Sequence, residues 1–137
     1  EKMICGYTLD EIYMADEDGE KSYFGLQHIM GEDGSSTFTH NEMELSIIKS
    51  GELDDKFDSS PISVMGFDLD RDKNPDIARF MKKHDLRIMV IYRIKKGRRP
   101  GYIVYMNHTQ STCRLSLTDL ADLTYFSHMI EISGQCN

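Results

Sequence analysis

Apolar and polar positions along the chain fall into short blocks, and the period within each block assigns its element. In "LDEIYMADEDGEKSYFGLQHIM" two strand-like runs, residues 9–15 and 21–30, flank Glu17-Asp18-Gly19-Glu20. An Asp-Gly pair between apolar and aromatic runs is a hairpin signal, because glycine accepts the positive φ of a tight turn. "GEDGSSTFTH" reads as a loop or a short edge strand. Thr39 stands three residues before Glu42, a capping-box spacing, and Met43, Leu45 and Ile47 follow. A short helix over 41–50, stopped by Gly51, is therefore expected. "GELDDKFDSSP" reads as an acidic loop, and "ISVMGFDL" after Pro61 as a strand over 62–69.

Asn74-Pro75 is a helix start, with Asn capping and Pro at the first helical position. Ile77, Phe80 and Met81 give that helix one apolar stripe up to His84. "LRIMVIYRI" is the strongest strand signal, dense in β-branched and aromatic residues. "GYIVYMN" is its partner, with residues 95–100 as the turn. Ser116 caps "LTDLADLTYFSHMIEI", where Leu117, Leu120, Leu123, Phe126 and Ile130 recur at helical spacing. The order β-β-α-β-α-β-β-α, with the strongest pairs antiparallel, predicts an α+β fold. Its core is a mainly antiparallel β-sheet of five to six strands with helices packed on its faces. Alternation puts Ile88, Val90, Tyr92 and Ile94 on one face and Met89, Ile91 and Arg93 on the other. Which face meets the terminal helix stays open at this level.

Size and charge narrow the picture. The 137 residues are a usual size for one domain, and no repeat or internal linker divides them. The chain opens on Glu1 without an initiator Met, so residues 1–137 are expected to form one domain of a longer multidomain protein. Its net charge of -7 argues against nucleic acid as a partner. The charge is polarised: residues 1–76 hold 19 acids against 6 bases, net -13, and residues 77–137 hold 4 against 10, net +6. Such polarity can steer a partner or draw the two halves of one fold together. The basic cluster Arg93, Lys95, Lys96, Arg98 and Arg99 falls at a Gly- and Pro-marked turn and reads as its exposed, solubilising charge. Without an apolar run near the ~18 residues that span a bilayer, membrane insertion is not expected. Cys5, Cys113 and Cys136 form no CxxC pair and read as reduced thiols of a cytoplasmic protein. Nine Met and no Trp point to flexible core filling or an adaptable binding surface.

Candidate chemistry is sparse. In "DLDRDKNPDIAR", Asp68, Asp70 and Asp72 take positions 1, 3 and 5 of a calcium loop, but Lys73 and Arg79 stand where the turn glycine and closing Glu belong. His108 and Cys113 lack a second ligand pair, and His28, His40, His84 and His128 are scattered, so no metal is expected. Nucleophile elbow, phosphate loop and cysteine-protease signature are all missing. No catalytic residue and no cofactor are assigned.

Four stretches carry a family likeness: "LDEIYMADEDGEKSYFG", "IARFMKKHDLRIMVIYRI", "KKGRRPGYIVYMNH" and "CRLSLTDLADLTYFSHMIEI". Together they resemble a GAF domain, in particular the GAF modules that stand beside diguanylate cyclase (GGDEF) or phosphodiesterase (EAL) domains in bacterial signalling proteins. The likeness spans roughly residues 9–132. Arg93 departs from a position where Pro is common, and Met106 from one where Asp is common. The Asn-Lys…Phe…Asp-Glu pattern of cyclic-nucleotide GAF domains and a Cys-His chromophore pair are absent. The resemblance implies a non-catalytic sensory or regulatory module that binds a small molecule or relays dimer geometry. A homodimer through terminal helices and an attached output domain come with that reading; a purely structural dimerisation module is the alternative. A ligand would lie between one sheet face and segment 38–84, with Phe67, Phe80, Tyr92 and Tyr105 as candidate pocket residues or plain core.

Overall fold

A computed structural model describes residues 9–18, 20–30, 36–49, 51–61, 63–71, 74–95, 100–110 and 120–135. Six strands, β1 (Glu11–Asp16), β2 (Ser22–Met30), β3 (Ser36–His40), β4 (Val64–Asp68), β5 (Leu86–Ile94) and β6 (Gly101–His108), form one sheet. Their order is β3-β2-β1-β6-β5-β4, and every neighbouring pair is antiparallel. The Asp-Gly hairpin forms as expected, with Glu11 opposite Gln27 and Met14 opposite Phe24. The side-chain Oδ1 of Asp18 accepts from the Glu20 amide at 3.1 Å, an Asx turn that holds the bend. Of the two readings of segment 31–40, the edge strand is the one formed, over Ser36–His40.

Helices cover both faces. On one side lie α1 (Ser46–Lys49), α2 (Glu52–Asp58) and α3 (Pro75–Lys83); on the other lies α4 (Leu120–Gln135). Alternation along β5 and β6 sorts the core between them. Met89, Ile91, Tyr102, Val104 and Met106 pack with Leu53, Phe57, Ile77 and Phe80 under the first three helices. Ile88, Val90, Tyr92, Ile94, Ile103 and Tyr105 pack with Leu123 beneath α4. Burial on both faces explains why β5 and β6 read as nearly unbroken apolar runs, which is unusual for antiparallel strands. Each large apolar side chain so buried contributes about 1.5–3 kcal/mol before entropy is subtracted.

The start of α3 follows its sequence signal. The Asn74 side-chain oxygen accepts from the amides of Asp76 (3.0 Å) and Ile77 (3.2 Å), and Pro75 opens the helix. The helix expected over 41–50 is a different matter, since it shortens to Ser46–Lys49. Thr39 belongs to β3, and residues 41–43 continue pairing with β2: Asn41 N donates to Gly25 O and Ser22 N to Met43 O, both at 3.1 Å. Sheet hydrogen bonds there displace the capping box. The acidic loop expected over 51–61 is instead largely α2. Gly51, at φ 79°, breaks the chain between α1 and α2, and Leu53 and Phe57 form a buried i,i+4 pair.

The acids of α2 face the sheet's basic partner. Arg93 donates to Asp58 at 2.7 Å, lies 3.8 Å from Asp54, and its side chain is 14 % exposed. Arg93 is therefore a bridge between the acidic and basic halves of the chain and not a member of an exposed turn. Arg87 and Asp70 add a second such link at 3.3 Å. Lys95 is exposed, whereas Lys96, Arg98, Arg99, Cys5, Cys113, Cys136 and the Ser116 cap lie outside the described residues.

Gly25 marks where β2 and segment 41–43 come closest. A Cβ at that position would stand 2.3 Å from the Asn41 carbonyl oxygen and 2.6 Å from the Tyr13 ring. Neither backbone nor the buried ring can withdraw, so Gly25→Ala should destabilise the fold by about 1–3 kcal/mol, the usual cost of overpacking. Urea denaturation checks this: an unchanged midpoint would mean that segment 41–43 is not held against β2.

Candidate functional site

The four aromatic residues expected around a pocket do not share one. Phe67 and Phe80 are buried beneath α1–α3, whereas Tyr92 and Tyr105 are buried beneath α4, on the opposite sheet face. All four fill core. The two tyrosine hydroxyls anchor α4: Tyr92 donates to Glu131 at 2.8 Å, and Tyr105 lies 2.6 Å from Ser127 Oγ. Ser127 in turn donates to the Leu123 carbonyl at 2.7 Å, so its hydroxyl is satisfied inside the helix as well.

A polar cleft of about 450 Å³ opens at the end of the α1–α3 face. Its floor is Glu11 at the start of β1, Gln27 opposite it on β2, and His108 at the end of β6. Asn41, Glu42, Met43, Glu44 and Ser46 form one wall, and Lys83 and His84 at the end of α3 form the other. The volume is within the ~300–1,000 Å³ usual for small-molecule sites, but among the described residues of the lining Met43 alone is apolar. Such walls suit a small, polar molecule.

Glu11 organises the floor. Period two on β1 turns Glu11 to the same face as Tyr13 and Ala15, and the residue is 4 % exposed. A carboxylate that deep needs partners to offset its lost hydration. The Tyr13 hydroxyl donates to one carboxylate oxygen, and the His108 ring meets the other through Nε2. Asn41 Nδ2 donates to Tyr13 Oη at 2.7 Å, extending the chain of hydrogen bonds to the cleft wall. Burial, reinforced by the bond to Glu11, pushes the Tyr13 phenol well above its ordinary range, so it stays protonated and acts as donor.

The two cleft histidines are driven apart. The hydrogen bond to Glu11 raises His108 above the ordinary imidazole value, against its partial burial. Burial lowers His84, with the neighbouring Lys83 charge adding to the effect, and its ring packs on Phe80 at 4.6 Å between centroids. The cleft thus combines a clamped, readily protonated His108 with a neutral-leaning His84. Asp10 fixes the end of β6 beside them, its Oδ2 accepting from the His108 amide at 2.8 Å and from Asn107 Nδ2 at 3.1 Å.

In the sequence His84 reads as a lone histidine and His108 stands five residues from Cys113, and neither Glu11 nor Asn41 is marked as a site residue. The available signal was an acid on the inward face of an otherwise apolar strand, two residues before Tyr13. What joined it to His108 was pairing across 97 residues of chain. Among the described residues no group of three or more His, Cys, Asp or Glu is placed to hold a metal ion. Asp68 and Asp70 serve locally, in an Asx turn at 2.9 Å and the pair with Arg87, while Asp72 lies outside the described residues. Among the described residues no helix is long and apolar enough to cross a membrane. No protein-family model matches the chain, and no curated protein sequence matches it.

His108 carries a pH dependence whose sign follows from its raised value. The Glu11–His108 pair contributes fully below the ordinary histidine pKa of about 6.5 and is lost as pH rises through the raised folded value. His84, held low, has the opposite sign: its contribution is present above about 6.5 and declines as pH falls. An NMR titration of the His108 ring should give a midpoint above the ordinary value, and Glu11→Gln should bring it back down. A His108 that titrates normally in the unmodified chain would rule out the buried pair.

Proposed function

We propose that the chain is a non-catalytic sensory or regulatory module of GAF-like type, which binds a small polar molecule in the Glu11–His108 cleft. The observation that carries this reading is the cleft itself, a ligand-sized hollow whose Glu11 and His108 are held in place by a hydrogen-bond chain through Tyr13 and Asn41. Support for a relay comes from β6. On one face it ends in His108 at the cleft; on the other, three residues earlier, Tyr105 is bonded to Ser127 of α4. A ligand that prefers one arrangement of β1 and β6 would bias the seating of α4, by no more than its difference in affinity for the two arrangements. In a cytoplasmic multidomain protein, α4 would pass that bias to an output domain such as a diguanylate cyclase. A purely structural dimerisation module without ligand is the second reading, favoured by the exposed Tyr125, Met129 and Ile132 of α4.

A thermal-shift screen against nucleotides, amino acids and other small metabolites tests the first reading. At 100-fold excess over Kd a ligand adds about 2.7 kcal/mol to native-state stability, enough for a clear rise in Tm. The shift should shrink in Lys83→Ala and His84→Ala, both at the cleft rim. No response across a broad library would sink the sensor reading, and a response indifferent to both substitutions would move the site elsewhere.

A further inference from the structure

The charges of the Glu11–His108 cleft are partnered unevenly, and the imbalance selects what it can hold. Among the described residues of its lining stand three acids, Glu11, Glu42 and Glu44, and each already has a partner. Glu11 is taken by Tyr13 and His108, Glu42 lies 3.6 Å from Lys21, and Glu44 accepts from Lys49 at 2.8 Å. Lys83, on the opposite wall, makes no ion pair among the described residues, although its field reaches Glu44 and His84. The Gln27 carboxamide, the Asn41 side-chain oxygen and the Ser46 hydroxyl have no hydrogen-bond partner among the described residues. The groups left to meet a ligand are therefore one cation and several neutral donors and acceptors.

His108 adds a second positive group under one condition. Its Nε2 meets the Glu11 carboxylate, which accepts, so that nitrogen carries the ring hydrogen. In the neutral ring Nδ1 is then a lone pair, which repels an anion; in the imidazolium it is an N–H donor. The ring lines the cleft, is 30 % exposed, and its Nδ1 has no partner among the described residues. We propose that the cleft takes a small monocarboxylate between Lys83 and the Nδ1–H of cationic His108, and that binding draws one proton from solvent onto that ring. Gln27, Asn41 and Ser46 suit a hydroxyl or carbonyl beside the carboxylate, as in a 2-hydroxy acid. A second negative charge is disfavoured, because Glu42 and Glu44 stand across from Lys83. Neither an arginine nor a glycine turn is among the described residues of the lining to hold a phosphate. Around His108 the charges favour the proton: Glu11 on β1, Asp10 just before it, and Asp85 in the turn from α3 to β5. Lys83 opposes it from α3, His84 beside it leans neutral, and Glu42 and Glu44 face it from the other wall. The inference rests on this cleft being the binding site and adds the class of ligand and the proton that accompanies it.

NMR titration of the 137-residue chain with glycolate and lactate, their amides, inorganic phosphate and ethanolamine tests the proposal. Both carboxylates should shift the His108 ring signals and saturate, whereas the amides and ethanolamine should not. Their Kd should rise by about tenfold per pH unit once pH passes the His108 midpoint, and a saturating carboxylate should move that midpoint upward. Lys83→Ala, at an exposed position, should weaken binding by about tenfold or more at every pH. Glu11→Gln should bring the loss of affinity to lower pH, in step with the His108 midpoint. Affinity independent of pH, equal binding of the amides, tighter binding of phosphate, or no carboxylate binding each overturns the inference. If the metabolite screen then responds to cations or neutral molecules alone, the sensor reading stands without it; if nothing binds, both fall.

Discussion

Pairing of β1 with β6 is the contact on which the rest of this fold depends. Its register runs from Glu11 opposite Met106 to Asp16 opposite Gly101, and it joins the β1–β2–β3 sheet half to the β6–β5–β4 half. Closing a loop of that length costs more entropy than a local hairpin, but the cost grows only logarithmically with length. In return a single six-stranded sheet is formed, wide enough to carry a helical layer on both sides. Without this pairing Glu11 would not meet His108, Asp10 would not hold the end of β6, and the cleft would have no floor.

A sheet covered on both faces has a polar problem, because helices must be held on it without leaving buried donors unpaired. Four tyrosines on the three central strands meet that need in the same way. Tyr13, Tyr92, Tyr102 and Tyr105 each bury an aromatic ring and give the hydroxyl to a polar partner: Glu11, Glu131, Asp54 and Ser127. The ring supplies buried area and the hydroxyl supplies direction. Burial, followed by the carboxylate bond, drives Tyr13, Tyr92 and Tyr102 upward in pKa, so each remains a donor to its acid. Three of the four tie a helix to the sheet. The fourth, Tyr13, ties the sheet to the cleft, and so couples the packing of the core to the protonation chemistry at its edge.

Strong local signals were legible in the residues themselves. The Asp-Gly hairpin, the Asn74-Pro75 start of α3, the β5–β6 pair and the terminal helix each depend on near neighbours, and each forms. Where the reading failed, a distant partner had overruled a local preference. Residues 41–43 look like the opening turn of a helix but pair with β2, and the acidic stretch 51–61 looks solvated but folds as α2 against Arg93 and Tyr102. The candidate site was less legible still. Aromatic residues stand out in a strand, yet Phe67, Phe80, Tyr92 and Tyr105 divide between two faces, and the cleft belongs to polar residues at strand ends.

The class of fold, the antiparallel pairing of the strongest strands and the burial of β5 on both faces are already written into the residue order, because period and turn chemistry act within a few residues. Only the tertiary structure sets which face meets α4, which histidine is raised in pKa and which lowered, and that an inward Glu on β1 finds its partner 97 residues away. Those outcomes depend on strand order and register, and strand order is a property of the whole sheet, which no local window contains.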